Sequence, residues 1–120
     1  MTRKWRIAIV EDEPLWQQGI STLLALDEQL EVAAIFGDGP SALAGLTEST
    51  YDVILMDWKL PGGMDGLQVA ATLCQQNYRP TQIILITGSP KEQLPEHPYG
   101  YVSKPAIAND LLPAIRSALA

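Results

Sequence analysis

Residues 51–57, YDVILMD, form a short apolar run that ends in an aspartate. Similar runs occupy 5–10 (WRIAIV), 31–36 (EVAAIF), 81–87 (TQIILIT) and, more weakly, 99–103 (YGYVS). Short and almost continuously apolar runs are typical of strands that are buried on both faces of a parallel sheet. The sequence therefore predicts five strands, of which 51–57 is the third.

Longer amphipathic segments separate these strands. The helices that we predict are 14–27, 41–48, 65–78 and 108–120. Ser41 is the expected cap of the second helix, and Asn109 is the expected cap of the last one, which would leave Pro113 in a first turn, where proline is tolerated. This alternation over 120 residues predicts one domain, 1–120, with an α/β fold: a doubly wound five-stranded parallel sheet in the usual order 2-1-3-4-5.

Composition narrows the class of protein. A net charge of −6 repels phosphate backbones and argues against direct nucleic-acid binding. No apolar run is long enough to cross a membrane, and no signal-peptide cleavage site follows the first residues. The single cysteine, Cys74, allows no internal disulfide and fits a reducing compartment. We therefore expect a cytoplasmic globular protein.

Polar side chains follow four of the five predicted strands. Glu11 and Asp12 follow the first, Asp57 ends the third, Thr87 ends the fourth and Lys104 follows the fifth. The carboxyl ends of parallel strands share one edge of the sheet, so these groups should meet there. Clustered carboxylates repel one another unless a hard cation such as Mg²⁺ lies between them, and a carboxylate can also attack phosphorus. Asp57, at the centre of the edge, is the expected nucleophile.

The motifs at these strand ends resemble those of the receiver domains of two-component response regulators. The resemblance rests on IVEDEP, DVILMDWKLPGGMDG, ILITG and GYVSKP, in this order, and covers essentially the whole chain. It implies a flavodoxin-like receiver fold. It also implies that Asp57 accepts a phosphoryl group from a histidine kinase or a histidine phosphotransfer protein.

The same resemblance assigns roles around Asp57. Mg²⁺ would be bound by Asp12, by Asp57 and by the backbone carbonyl of Lys59, with Glu11 acting through a metal-bound water. Lys104 would pair with the phosphoryl oxygens. Thr87 and Tyr101 would form the switch that responds to phosphorylation. The Lys104–Pro105 bond would be cis.

The segment between Thr87 and Lys104 departs from the family pattern. Only 17 positions separate these two residues, and the segment contains Pro90, Pro95 and Pro98. Proline inside a helix costs about 3 kcal/mol, and a four-residue stretch cannot nucleate one. We therefore predict that the family's fourth helix is absent or reduced to one turn. Without it we expect a monomer whose loop 88–98 is ordered by phosphorylation or by a partner.

Several interpretations stay open at this point. The first is a stand-alone receiver that is phosphorylated on Asp57 and signals to an unknown downstream protein. The second is a receiver-like interaction module that is not phosphorylated. A turnover enzyme is disfavoured, because aspartate-nucleophile phosphatases carry a second aspartate where this chain has Lys59. Only self-phosphorylation and slow autodephosphorylation are expected. Lys59 either tunes the lifetime of the aspartyl-phosphate or is a solvated lysine, and Trp16 is either core or exposed near a docking face.

Overall fold

The computed structural model describes residues 3–76 and 78–120. Three residues of the predicted domain 1–120 lie outside the described residues: Met1, Thr2 and Asn77. Asn77 also belongs to the predicted helix 65–78. The strands are β1 (Trp5–Val10), β2 (Leu30–Phe36), β3 (Val53–Met56), β4 (Ile83–Thr87) and β5 (Gly100–Ser103), and the helices are α1 (Pro14–Leu24), α2 (Gly39–Glu48), α3 (Gly66–Gln76) and α4 (Ile107–Leu119). No helix among the described residues is long and apolar enough to cross a membrane.

The five strands form one parallel sheet in the order β2-β1-β3-β4-β5, as predicted. Ile9 of β1 is in register with Leu55 of β3, and Leu55 is in register with Ile84 of β4. β3 is therefore the central strand. Asp57, which directly follows Met56, is placed at the middle of the carboxyl edge.

The sheet is covered on both faces, which explains why its strands are apolar throughout. Along β3, Ile54 and Met56 face a core formed with α2 and α3, whereas Val53 and Leu55 face a second core formed with α1 and α4. All four side chains are at most 1% exposed. Successive strand residues point to opposite faces, so a strand between two helical layers needs an apolar residue at every position.

The two predicted caps were wrong. Helix α2 begins at Gly39, because the Asp38 side chain accepts hydrogen bonds from the backbone N–H and the hydroxyl of Ser41. Helix α4 begins at Ile107 rather than after Asn109, because the single-turn 3₁₀ helix Lys104–Ala106 leads directly into it. Pro113 consequently lies inside α4, on its exposed side.

The segment between β4 and β5 contains one short 3₁₀ turn, Lys91–Gln93, and no α-helix. This confirms the predicted reduction of the fourth helix. Leu94, Tyr99 and Tyr101 pack against the α2–α3 core in its place. The sheet is therefore covered on this side by irregular chain, while Pro95, Glu96 and Pro98 remain exposed.

Candidate functional site

The backbone ladder of the sheet continues beyond the strands and holds the acidic residues in place. The N–H of Glu11 donates to the carbonyl of Phe36 at 2.9 Å, and the N–H of Asp57 donates to the carbonyl of Val10 at 2.9 Å. The backbones of Glu11 and Asp57 are therefore fixed by pairing with the neighbouring strands β2 and β1. The predicted convergence at the carboxyl edge follows from this pairing.

Three carboxylates meet at this edge. Oxygen atoms of Glu11, Asp12 and Asp57 lie within 4.8 Å of one another. Glu11 is 1% exposed and Asp57 is 6% exposed, whereas Asp12 is open to solvent. Two buried acids and one exposed acid form an oxygen-rich cluster that is accessible from one side.

Lys104 supplies the opposite charge. Its Nζ atom donates a hydrogen bond to Asp57 Oδ2 at 3.0 Å and lies 2.6 Å from Glu11 Oε1. Burial alone would lower the pKa of Lys104, but the contacts with Glu11 and Asp57 outweigh burial and raise that pKa. The lysine therefore stays charged, and the predicted placement of Lys104 beside Asp57 is observed.

Glu11 carries an incompletely satisfied carboxylate. Its Oε2 accepts from the N–H of Glu13 at 3.0 Å. Its Oε1, although close to Lys104, is buried without a partner in hydrogen-bond geometry among the described residues. Burial raises the pKa of Glu11 to about 7, a rise that the neighbouring charge of Asp57 reinforces and Lys104 opposes. A buried carboxylate beside two further acids fits a site that receives a cation or a water bound to one.

Thr87 lies beside this cluster and is linked to the following segment. An open cleft of about 660 Å³ is bordered by Asp57, Thr87 and Ser89, among other residues. The N–H of Ser89 donates to Thr87 Oγ1, and the carbonyl of Ser89 accepts from the hydroxyl of Tyr101, both at 3.2 Å. Thr87 and Tyr101 are thus connected through Ser89, a residue that the sequence analysis did not identify.

The loop after Asp57 approaches the site closely. Lys59 is exposed at the cleft, and its Nζ lies 4.7 Å from the centre of the Trp58 ring. Gly62 and Gly63 both have positive φ, at 96° and 83°, which glycine adopts without strain. At Gly66 a Cβ atom would lie 1.9 Å from the carbonyl oxygen of Asp57. The glycines of this loop are therefore required by its geometry.

The structure decides between the two interpretations of Trp16 that the sequence left open. It is half-buried and borders the cleft, and its ring centre lies 4.8 Å from Lys104 Nζ. Of the two interpretations, the core role was wrong, because Trp16 lies in the first turn of α1, borders the cleft and belongs to neither buried core. Gln17, on the same turn, fixes this position by donating from its Nε2 to the carbonyl of Glu11 at 2.6 Å. The available signal was proximity in the sequence, since Trp16 is four positions after Asp12 and lies in the first turn of α1.

The predicted cis bond before Pro105 was also wrong. Residues 3–76 and 78–120 contain no cis peptide bond, so the Lys104–Pro105 bond is trans. Pro105 is the second residue of the turn Lys104–Ala106, a position that proline accepts because it needs no N–H there. Lys104 nevertheless reaches Asp57.

The fold and this edge together define a class: doubly wound α/β domains that gather acidic side chains and a lysine beyond the central strand. The chain belongs to the family of response regulator receiver domains, whose family model matches residues 7–116. It is 35% identical over 118 residues to the nitrate/nitrite response regulator protein NarP of Escherichia coli, covering 94% of this chain and 54% of that protein. It is 30% identical to the probable transcriptional regulatory protein NarL of Mycobacterium tuberculosis, covering 93% of this chain and 53% of that protein.

Solved structures agree with this membership. The N-terminal domain of a response regulator/sensory box/GGDEF protein from Carboxydothermus hydrogenoformans matches with a TM-score of 0.82 at 30% identity, covering 95% of this chain and 93% of that one. The receiver domain of the putative response regulator NarL from M. tuberculosis matches with a TM-score of 0.75 at 26% identity, covering 96% and 98%. The chain spans about half the length of the curated relatives it matches.

Proposed function

We propose that this receiver domain accepts a phosphoryl group on Asp57 from a histidine kinase or a histidine phosphotransfer protein. One observation carries the proposal. Lys104 Nζ lies 3.0 Å from Asp57 Oδ2, at the middle of the carboxyl edge of the sheet, where the neighbouring side chains are acidic. A charged lysine that is already paired with the attacking carboxylate is positioned to pair with phosphoryl oxygens when they arrive.

The transfer needs few groups from the protein. A carboxylate oxygen of Asp57 attacks the phosphorus, an O–P bond forms, and the P–N bond to the donor histidine breaks. The electron pair of that bond returns to the imidazole nitrogen. Lys104 balances the charge on the phosphoryl oxygens, and Thr87 supplies a hydroxyl at the border of the same cleft. The product is an acyl phosphate on Asp57, which water later hydrolyses slowly, without turnover of an external substrate.

The acidic cluster fits Mg²⁺, which we propose as the cofactor of this transfer. Asp12 and Asp57 would bind it directly, the backbone carbonyl of Lys59 would be a further ligand, and Glu11 would act through a bound water. The fit rests on the three carboxylates, whose oxygen atoms lie within 4.8 Å of one another, and on the exposed Asp12, which opens the cluster to the cleft. When bound, the cation would neutralise negative charge on the carboxylates and on the incoming phosphoryl group.

We propose that a downstream protein binds the segment 88–98 and thereby detects the phosphorylation state of the domain. Ser89 connects Thr87 to Tyr101, so a movement of Thr87 toward a phosphoryl group is transmitted to the start of this segment. Grooves of about 410 and 420 Å³ flank Leu94–Tyr99 and leave room for a partner. We further propose that the domain is cytoplasmic, monomeric and stand-alone, and that it acts through contacts with other proteins.

DNA binding does not form part of this proposal. The curated relatives include transcriptional regulatory proteins, but this chain corresponds to only about half of their length. Its acidic charge disfavours contact with phosphate backbones.

A second candidate is an interaction module that is never phosphorylated, which the shortened fourth helix favours. Beryllium fluoride, an analogue of the phosphoryl group, distinguishes the two in the presence of Mg²⁺. Trp16 and Trp58 lie at or beside the cleft, so saturable binding should change tryptophan fluorescence, and Asp57→Asn should abolish the change. A flat titration of the wild-type protein with both Mg²⁺ and the analogue would favour the interaction module.

A further inference from the structure

The ammonium group of Lys104 is held from two chemically different sides. Glu11 Oε1 and Asp57 Oδ2 lie 2.6 and 3.0 Å from its Nζ atom. The ring of Trp16 lies on α1, and its centre is 4.8 Å from the same atom. This distance is within the range of cation–π contacts, for which tryptophan provides the most favourable ring. The lysine is only 11% exposed in this position.

The two carboxylates are not constant partners during the proposed reaction. Asp57 gives up a carboxylate oxygen when its O–P bond forms, and Glu11 is the acid whose environment a bound cation would change. The attraction between Trp16 and Lys104 depends on neither event, because the ring quadrupole is fixed. Lysine has a flexible four-carbon stem, so an additional fixed partner narrows the positions available to its Nζ atom.

We propose that Trp16 is a positioning residue that holds Lys104 in place for phosphoryl transfer to Asp57. The inference rests on the proposed function and adds a residue to which the receiver resemblance gave no role in the chemistry. Trp16 acts through Lys104. Its ring, together with the two carboxylates, keeps the ammonium at the point where the phosphoryl oxygens arrive.

Two other roles for Trp16 make different predictions. A packing role is disfavoured because Trp16 belongs to neither buried core, and its neighbour Leu15 is 82% exposed. A role only in docking a protein phosphodonor would leave the reaction with a small donor unchanged, since a small molecule needs no docking face. Acetyl phosphate therefore separates positioning from docking.

The experiment uses two replacements that differ in one property. Trp16→Phe keeps an aromatic face, whereas Trp16→Leu keeps apolar bulk without one. Leu15→Ala, on the same turn and outside the cleft, is the control. The rate of adduct formation with acetyl phosphate and Mg²⁺ is followed by intact mass. The chemical shifts of the Lys104 ε-protons are measured without a donor, as a direct report of ring contact.

Trp16→Leu should slow adduct formation about three- to tenfold, the range that a partly desolvated cation–π contact predicts, while Trp16→Phe and Leu15→Ala stay close to wild type. The ring-current shift of Lys104 should vanish in Trp16→Leu only. Equal rates in all four proteins, or Lys104 shifts that do not depend on residue 16, would overturn the proposal. A wild-type protein that forms no adduct with acetyl phosphate or with phosphoramidate would instead refute the proposed function, and the Lys104 shifts would still decide whether Trp16 contacts the lysine.

Discussion

Lys104 Nζ and Asp57 Oδ2 lie 3.0 Å apart although 47 positions separate the two residues in the chain. The fold creates this contact by placing β3 at the centre of the sheet and β5 at its edge, with both carboxyl ends on one side. Asp57 directly follows β3 and is paired with β1 through the hydrogen bond that its N–H donates to Val10, and Lys104 begins the turn after β5. The site is thus a direct product of parallel strand order.

Gly66→Ala should destabilise the protein and disturb Asp57. A Cβ atom there would lie 1.9 Å from the carbonyl oxygen of Asp57, so either the loop or β3 must shift. We expect a loss of about 2–3 kcal/mol in the free energy of unfolding, measured with urea. Gly19→Ala is the matched control, because nothing lies within 4 Å of a Cβ atom at this exposed helical position. Gly19→Ala should raise the free energy of unfolding by roughly 0.5–1 kcal/mol. Equal effects of the two substitutions would contradict this account.

Glu11 should make stability depend on pH when divalent cations are removed with EDTA. Its pKa in the folded protein is about 7, above the ordinary value of 4.5, so the folded state holds the proton more tightly than the unfolded state. The stabilising contribution is complete below pH 4.5 and is lost as the pH rises through 7. The free energy of unfolding of wild type relative to Glu11→Gln should fall across this interval by ~2 kcal/mol. A difference in free energy of unfolding between wild type and Glu11→Gln that stays constant from acid to neutral pH would refute this prediction. Added Mg²⁺ should restore the stability of the wild type at neutral pH.

Lys59→Ala should shorten the lifetime of the aspartyl-phosphate. Lys59 borders the cleft and stacks on Trp58, so its ammonium can stabilise the bound phosphate and obstruct attacking water. We expect hydrolysis to accelerate roughly two- to fivefold, consistent with an exposed contact of about 0.5–1 kcal/mol. Lys59→Arg, which keeps the charge, should stay near wild type. The measurement is loss of adduct after removal of the donor, and an unchanged lifetime in Lys59→Ala would return Lys59 to the role of a solvated lysine.

The segment 88–98 should gain protection from hydrogen exchange when a phosphoryl analogue binds. Its contact with the site runs through Ser89, and Tyr101 holds Ser89 by one hydrogen bond. Tyr101→Phe keeps the ring but removes this donor, so the gain should shrink. Peptide-level hydrogen exchange with and without beryllium fluoride provides the measurement. Equal protection of 88–98 in both states would contradict a switch located in this segment.

The strand pattern of the sequence was sufficient to predict the sheet and its acidic edge. Continuous apolar runs at 51–57 and 81–87 required cover on two faces, and parallel order then placed Asp57 and Lys104 at the same edge of the sheet. The three prolines Pro90, Pro95 and Pro98 were sufficient to predict that the fourth helix is absent or reduced to one turn. These inferences succeeded because each rests on backbone hydrogen bonding or on burial.

The helix caps and the position of Trp16 depended on how neighbouring elements pack against one another. Asp38 and Ser41 are both good capping residues, and only the path of the chain decides between them. Trp16 has the spacing of a core residue on α1, but it lies in the first turn of that helix, and its ring contacts Lys104 at the cleft instead. Sequence periodicity does not show which residues of a helix lie at the functional edge of the sheet.

Phosphorylation of Asp57 is the central claim, and intact mass after incubation with Mg²⁺ and acetyl phosphate tests it most directly. Asp57→Asn removes the nucleophile, and Asp110→Asn makes the same chemical change at an exposed position on α4. One phosphoryl adduct on the wild type and on Asp110→Asn, with none on Asp57→Asn, is the predicted result. An adduct that persists on Asp57→Asn, or a wild-type protein that stays unmodified with both acetyl phosphate and phosphoramidate, would contradict the account.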